Sequence, residues 1–179
     1  MLNDLARLQH YWFMTNLHKF LVHSLVLFYS ATGLAYIPNF SRVTPEIYRG
    51  GRPQKQDFAL LKSQGIRTVI SLEVKSTVAS EAKAVKQAGM KFLSLPMSVY
   101  DAPTNREMDT ILDWLTDPML QPVFVHCKHG EDRSGLVIGV FRVEEMDWDA
   151  ESAHREMLQK GFHTYYYPLE DFFWKRVSR

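Results

Sequence analysis

Apolar positions along the chain fall into two regimes that meet near residue 36. From Ile47 onward, short apolar runs alternate with amphipathic stretches that close on glycine, the succession that builds a parallel sheet with helices on its faces. Phe58 and Leu61 stand at helical spacing in a helix expected over about residues 54–64, which Gly65 stops before the strand IRTVISL. A second helix, over about residues 80–88, stops at Gly89 before KFLSLPM. Thr104 with Glu107 makes a capping-box pattern, opening a helix whose Met108, Ile111, Leu112 and Leu115 form one apolar face and which ends near Asp117-Pro118. VFVHC follows, short, β-branched and apolar, and is expected as the central strand. A helix from about Ser134 then turns Leu136, Val137, Val140 and Val143 to the core. Two more helices, Asp149 to Lys160 ending at Gly161 and one from Pro168 carrying Phe172 and Phe173, close the fold. The fold class is therefore α/β, with a central, mostly parallel sheet flanked by helices.

Before residue 36 the pattern differs. Lys19 precedes the apolar run FLVHSLVLFYSA and the small residues of TGLA. The run has the length of a secretory h-region rather than the roughly 20 residues of a membrane span. Gly33 and Ala35 suit the −3 and −1 cleavage positions, and Met14 is an alternative start. Residues 1–35 are thus expected as a signal peptide, or else as an N-terminal hydrophobic helix resting on the domain or on a membrane surface. The first reading makes the protein secreted or periplasmic; the second makes it cytoplasmic or membrane-anchored, touching a membrane only through this segment. Residues 36–179 form the functional domain.

With 179 residues, 46% hydrophobic and 23% charged, the chain fills one core and is too short for two ordinary domains. A net charge of +1 without Lys or Arg runs argues against a nucleic-acid partner. The single cysteine allows no intramolecular disulfide and no CxxC pair, so no metal and no cofactor are expected. Taken alone, a lone cysteine reads as a small buried hydrophobe; its neighbours overturn that reading.

Ligands of open parallel sheets bind at the carboxyl ends of the strands. Those ends are expected at Glu73 to Lys75, at Met97 to Asp101 and at Cys127, which puts a base, a carboxylate and a thiol on one rim. Between Cys127 and Arg133 lie Lys128, His129, Gly130, Glu131 and Asp132, and Ser134-Gly135 opens the next helix. Such a loop can turn its backbone N–H groups inward around an anion, and the helix N-terminus adds roughly half a positive charge. The same field favours the thiolate of a cysteine placed there. Arg133 offers a planar fork to two phosphate oxygens. Gly130 supplies the φ values a tight loop needs. Ser134 is either a donor to the departing sulfur or a helix cap. Asp101, in SVYDAPTNRE, is the first choice as proton donor to the leaving group; Asp132 is the competing donor, or else pairs with Arg133 or caps the helix.

These residues, VHCKHGEDRSG after an apolar strand with Asp101 upstream, resemble the signature of the protein-tyrosine phosphatase superfamily, specifically its small dual-specificity-like branch. The resemblance spans about Phe40 to Arg179 and includes EIYRGGRP and QGIRTVISL in the family's order. It implies a dual-specificity phosphatase-like fold and a two-step, metal-independent hydrolysis of phosphomonoesters. Cys127 is then nucleophile, Arg133 and the amides of Lys128 to Asp132 bind phosphate, and Asp101 serves as acid and then base. The acidic Glu131 and Asp132 depart from the small residues common at those positions, and an aspartate before the arginine is similar to myotubularin-like lipid phosphatases.

The substrate stays open between inositol polyphosphates and phosphotyrosine. Lys128, His129, His126, Arg49, Arg52, Lys75 and Arg106 are basic groups expected near the rim and suit a polyphosphorylated ligand, as in relatives that resemble secreted phytases. Glu131 and Asp132 oppose that ligand. The alternatives are a pseudophosphatase that recognises a phosphorylated partner without hydrolysis, and a rhodanese-like sulfur transferase, which the Arg-Ser-Gly ending disfavours.

Overall fold

The computed structural model describes residues 36–178. Five strands, β1 (Ser41–Arg42), β2 (Ile47–Gly50), β3 (Thr68–Ser71), β4 (Lys91–Ser94) and β5 (Val123–His126), form one sheet in the order β1-β2-β5-β3-β4. β1 runs antiparallel to β2, and all other pairs are parallel. Helices α1 (Asp57–Ser63), α2 (Lys75–Gln87), α3 (Asn105–Thr116), α4 (Asp132–Met146), α5 (Ala150–Gln159) and α6 (Tyr167–Val177) cover it. The α/β architecture is the one the hydrophobic pattern calls for.

β5 lies between β2 and β3, so its side chains are buried on both faces. Successive strand residues point to opposite faces. Val69 and Phe124 therefore join Phe58, Leu61, Ile66 and Val85 on the α1 and α2 side, while Ile70 and Val125 join Met108, Leu115, Leu136 and Phe173 on the other. α4, buried continuously from Asp132 to Arg142, follows β5 and carries the intervening loop to the middle of the sheet's carboxyl edge.

The capping box forms as its spacing implies: the Thr104 hydroxyl accepts from Glu107 N at 3.2 Å, and Glu107 Oε2 accepts from Thr104 N at 2.7 Å. Two details differ from the sequence reading. α2 begins at Lys75, ahead of the expected Ser80, because the hydroxyls of Thr77 and Ser80 donate within the helix, to the carbonyls of Val74 and Thr77 at 3.1 Å each. The strand end expected at Glu73 to Lys75 is corrected accordingly: β3 stops at Ser71, and Lys75 belongs to the helix. The signal peptide or hydrophobic helix expected over residues 1–35 lies outside the described residues. Among the described residues no helix is long and apolar enough to cross a membrane.

Candidate active site

The loop between β5 and α4 has its carbonyls claimed by groups that face away from its interior. Cys127 O faces His126 Nδ1 at 3.4 Å. Lys128 O accepts from Arg52 N at 3.1 Å, and His129 O accepts from Asn39 Nδ2 at 3.1 Å. Gly130 O accepts from Arg49 Nη2 at 2.9 Å, and Glu131 O accepts from Gly135 N at 2.8 Å. A trans peptide unit is planar, with N–H opposite C=O. Holding these carbonyls outward therefore turns the amides of Lys128 to Asp132 the other way, and among the described residues none of those amides donates to an acceptor. Inward amides joined to the first turn of α4 make an anion cradle.

Close approach of backbones fixes the loop's position. Gly130 has φ of 78°, and a Cβ there would stand 2.5 Å from Gly51 N and 2.8 Å from Gly50 O. Gly50-Gly51, at the end of β2, is thus the seat of the loop.

Cys127 Sγ lies in the core with Ser134 Oγ at 3.5 Å. Arg133 is tied at one end only: Nη1 donates to Leu72 O at 3.0 Å and Met97 O at 3.4 Å, and stands 3.8 Å from Glu73 Oε2. Its Nε is buried without a partner, and among the described residues Nη2 donates to nothing, so one edge of the fork is left for an anion. Glu73, itself buried, takes Arg52 Nε at 3.1 Å and Nη2 at 2.8 Å. Burial pushes the Glu73 carboxyl up, but the Arg52 hydrogen bond and the charges of Arg133 and Arg52 outweigh it, and its pKa lies below the usual value. The pair therefore contributes its full stability above the ordinary glutamate pKa of about 4.3, and loses it as pH falls through the lowered folded-state value. The difference in denaturant midpoint between wild type and Glu73→Gln is expected to stay level above about pH 5 and to shrink on the acid side. A pH-independent difference would contradict this.

Other expected site residues sort by partner. Lys128 and His129 are exposed. Glu131 accepts from Asn39 Nδ2 at 3.2 Å. Asp132 neither pairs with Arg133 nor caps the helix, the structural roles expected for it: its Oδ1 takes His163 N at 2.9 Å and Nδ1 at 3.0 Å, and Glu131 occupies the N-cap position. Asp101 is exposed on the loop after β4, where the ring of neighbouring Tyr100 meets Tyr166 edge-on at 5.8 Å. Arg106 is exposed on the first turn of α3. Arg49, expected at the rim, is buried beneath the loop as the donor to its carbonyls; burial lowers its pKa, while the Cys127 sulfur pulls it up. Glu131, Asp132 and His163 bring one possible ligand atom each within 4.8 Å of the others, but both carboxylates already accept hydrogen bonds. Sequence reasoning missed Asn39, Glu81 and His163. Asn39 left one usable signal, an asparagine in a Pro-Asn turn, and it does adopt a left-handed φ of 50°.

Residues 36–164 match a family model described as the tyrosine phosphatase family. Over 126 residues the chain is 33% identical to the dual specificity protein phosphatase TpbA of Pseudomonas aeruginosa, an alignment covering 69% of this chain and 55% of that protein. Over 109 residues it is 32% identical to the inositol diphosphatase DSP5 of Arabidopsis thaliana, covering 59% of this chain and 53% of that one. The chain thus spans about half the length of these curated relatives. The crystal structure of Pseudomonas aeruginosa TpbA superposes with a TM-score of 0.67 at 26% identity, covering 82% of this chain and 97% of that structure. A cysteine-to-serine form of TpbA has been solved in complex with phosphotyrosine, with a TM-score of 0.66.

Proposed function

The chain belongs to the tyrosine phosphatase family, and from that premise we propose that it hydrolyses phosphate monoesters through a phosphocysteine formed on Cys127. The observation that carries this reading is the cradle: amides turned inward between Cys127 and Asp132, with Arg133 Nε and Nη2 unengaged among the described residues. In the first step the Cys127 thiolate attacks phosphorus; the S–P bond forms as the P–O bond to the leaving group breaks, and Asp101 gives its proton to the departing oxygen. In the second, water attacks the phosphocysteine, its proton passes to the Asp101 carboxylate, and sulfur leaves as thiolate with Ser134 Oγ at 3.5 Å to donate to it. The amides and Arg133 hold the three equatorial oxygens as charge redistributes.

Asp101 is preferred over Asp132 because it is exposed and unengaged among the described residues, whereas Asp132 is committed to His163. Asp101→Asn is expected to lower kcat by about 10²–10³ and Asp132→Asn by less than about ten-fold, in steady-state assays across pH. The reverse order would move the acid into the loop.

Inositol polyphosphates are the preferred substrates. Glu131 accepts from Asn39 and stands 4.0 Å from His129 Nδ1, and Asp132 accepts from His163, while Lys128 stays exposed and offers its ammonium at the cradle mouth. The likeness to an inositol diphosphatase supports this. Phosphotyrosine is the second reading, supported by the exposed Tyr100 with Tyr166 beside the loop and by the phosphotyrosine complex of TpbA. Export would favour the first, and the apolar run before residue 36 supports export; fractionation of expressing cells tests it. Metal-free phosphate release from inositol hexakisphosphate and a phosphotyrosine peptide, run in parallel, ranks the two. Tight phosphate binding without turnover of either would select the pseudophosphatase.

A further inference from the structure

We propose that Glu81, on α2, is a positioning residue for the 127–133 loop, acting through His126 on the Cys127 carbonyl. The proposal rests on Cys127 being the nucleophile. His126 is fully buried, with its ring stacked on Phe124 at 5.5 Å between centroids. Its Nε2 stands 2.6 Å from Glu81 Oε1, off the direction of a well-aligned hydrogen bond, and Glu81 Oε2 accepts from Ser71 Oγ at 2.8 Å. The other ring nitrogen faces Cys127 O at 3.4 Å. At 2.6 Å from Nε2, Glu81 limits the rotation of the ring, and with it the line from Nδ1 to the Cys127 carbonyl. Ser71 in turn holds the Glu81 carboxylate in place, so the ring is fixed by a side chain that is itself anchored.

The consequence is geometric. With its carbonyl drawn back toward His126, the Cys127–Lys128 peptide turns Lys128 N–H into the cradle next to the sulfur. The loop's other outside donors are guanidinium, amide or backbone N–H groups. This one alone depends on a buried carboxylate, and burying charge is expensive. The charged groups around the ring and the sulfur are Glu81 from α2, Glu73 after β3, Arg52 after β2, Arg49 from β2 and Arg133 from α4. Of these, Glu81 is the one paired with the ring among the described residues.

The test uses the full chain carrying Glu81→Gln, Glu81→Asp or Ser71→Ala. It measures kcat, KM, the alkylation rate of Cys127 by iodoacetamide at neutral pH, and the ring N–H proton resonance of His126, identified by its loss in His126→Asn. Glu81→Gln is expected to lower kcat and alkylation by about ten-fold each, with KM within about two-fold, and to move the ring resonance. Glu81→Asp is expected to recover most of the loss. If Glu81→Gln does not fold, Ser71→Ala carries the test, with about a three-fold loss in the same two rates. A lowered melting temperature with kcat and alkylation unchanged would overturn the proposal. Should wild type show no turnover, the phosphatase reading fails by itself, while alkylation and the ring resonance still report on Glu81.

Discussion

Cys127→Ser is expected to fold and to bind phosphate, yet to release none from either substrate, with kcat down by more than about four orders of magnitude. Serine fits the slot beside Ser134 Oγ and leaves the cradle amides and Arg133 in place, so the melting temperature should barely change. What is lost is the nucleophile, because a hydroxyl in the same field does not supply the anion that a thiol does. Since the chain has a single cysteine, acid-quenched wild type analysed by mass spectrometry should carry one phosphate on the peptide containing residue 127, and the variant none. Residual turnover within about ten-fold of wild type would remove the covalent mechanism.

Gly130→Ala is expected to damage stability and activity together. A φ of 78° is costly for any residue with a Cβ, and here the new atom would meet Gly51 N at 2.5 Å and Gly50 O at 2.8 Å, both backbone atoms unable to swing aside. A loss of about 2–4 kcal/mol in denaturant unfolding is expected. The loop must rise off β2 to admit the methyl, and a displacement of this kind costs about a hundred-fold in kcat even where the protein still folds. Gly51→Ala, whose Cβ would meet Pro38 Cβ at 3.0 Å and His129 O at 3.1 Å, should show a milder form of both losses. A stable, fully active Gly130→Ala protein would show that Gly50-Gly51 does not position the loop.

Helices α3, α5 and α6 and the central strand were readable because each depends on neighbours along the chain. Thr104 and Glu107 cap within one turn, Asp149 accepts from Ser152 N at 2.8 Å, and the apolar run Val123 to Val125 is buried on both faces because both are covered. β1 was not readable: a two-residue strand is too short to show alternation, and pairing with β2 is what makes it a strand. The start of α2 was missed because serine and threonine, here Ser76 and Thr77, are weak helix formers whose hydroxyls compete for the backbone.

The site divides along the same line. The spacing from Cys127 to Arg133, with Gly130 between them and Ser134-Gly135 opening a helix, was by itself enough to point to a loop able to turn its amides around an anion, since a thiol, a glycine turn and a guanidinium on one short segment need few distant partners. Which way the peptides of that segment face was decided by the tertiary structure. Asn39 reaches the loop across 90 residues of chain, Arg49 across 81, and His163 claims Asp132 across 31. Hydrogen bonds between elements of a folded sheet leave no periodicity in the sequence. That is why Arg49 read as a rim cation and is instead the donor beneath the loop, and why Glu81, spaced like any polar residue of an exposed helix, ends buried against the histidine beside Cys127.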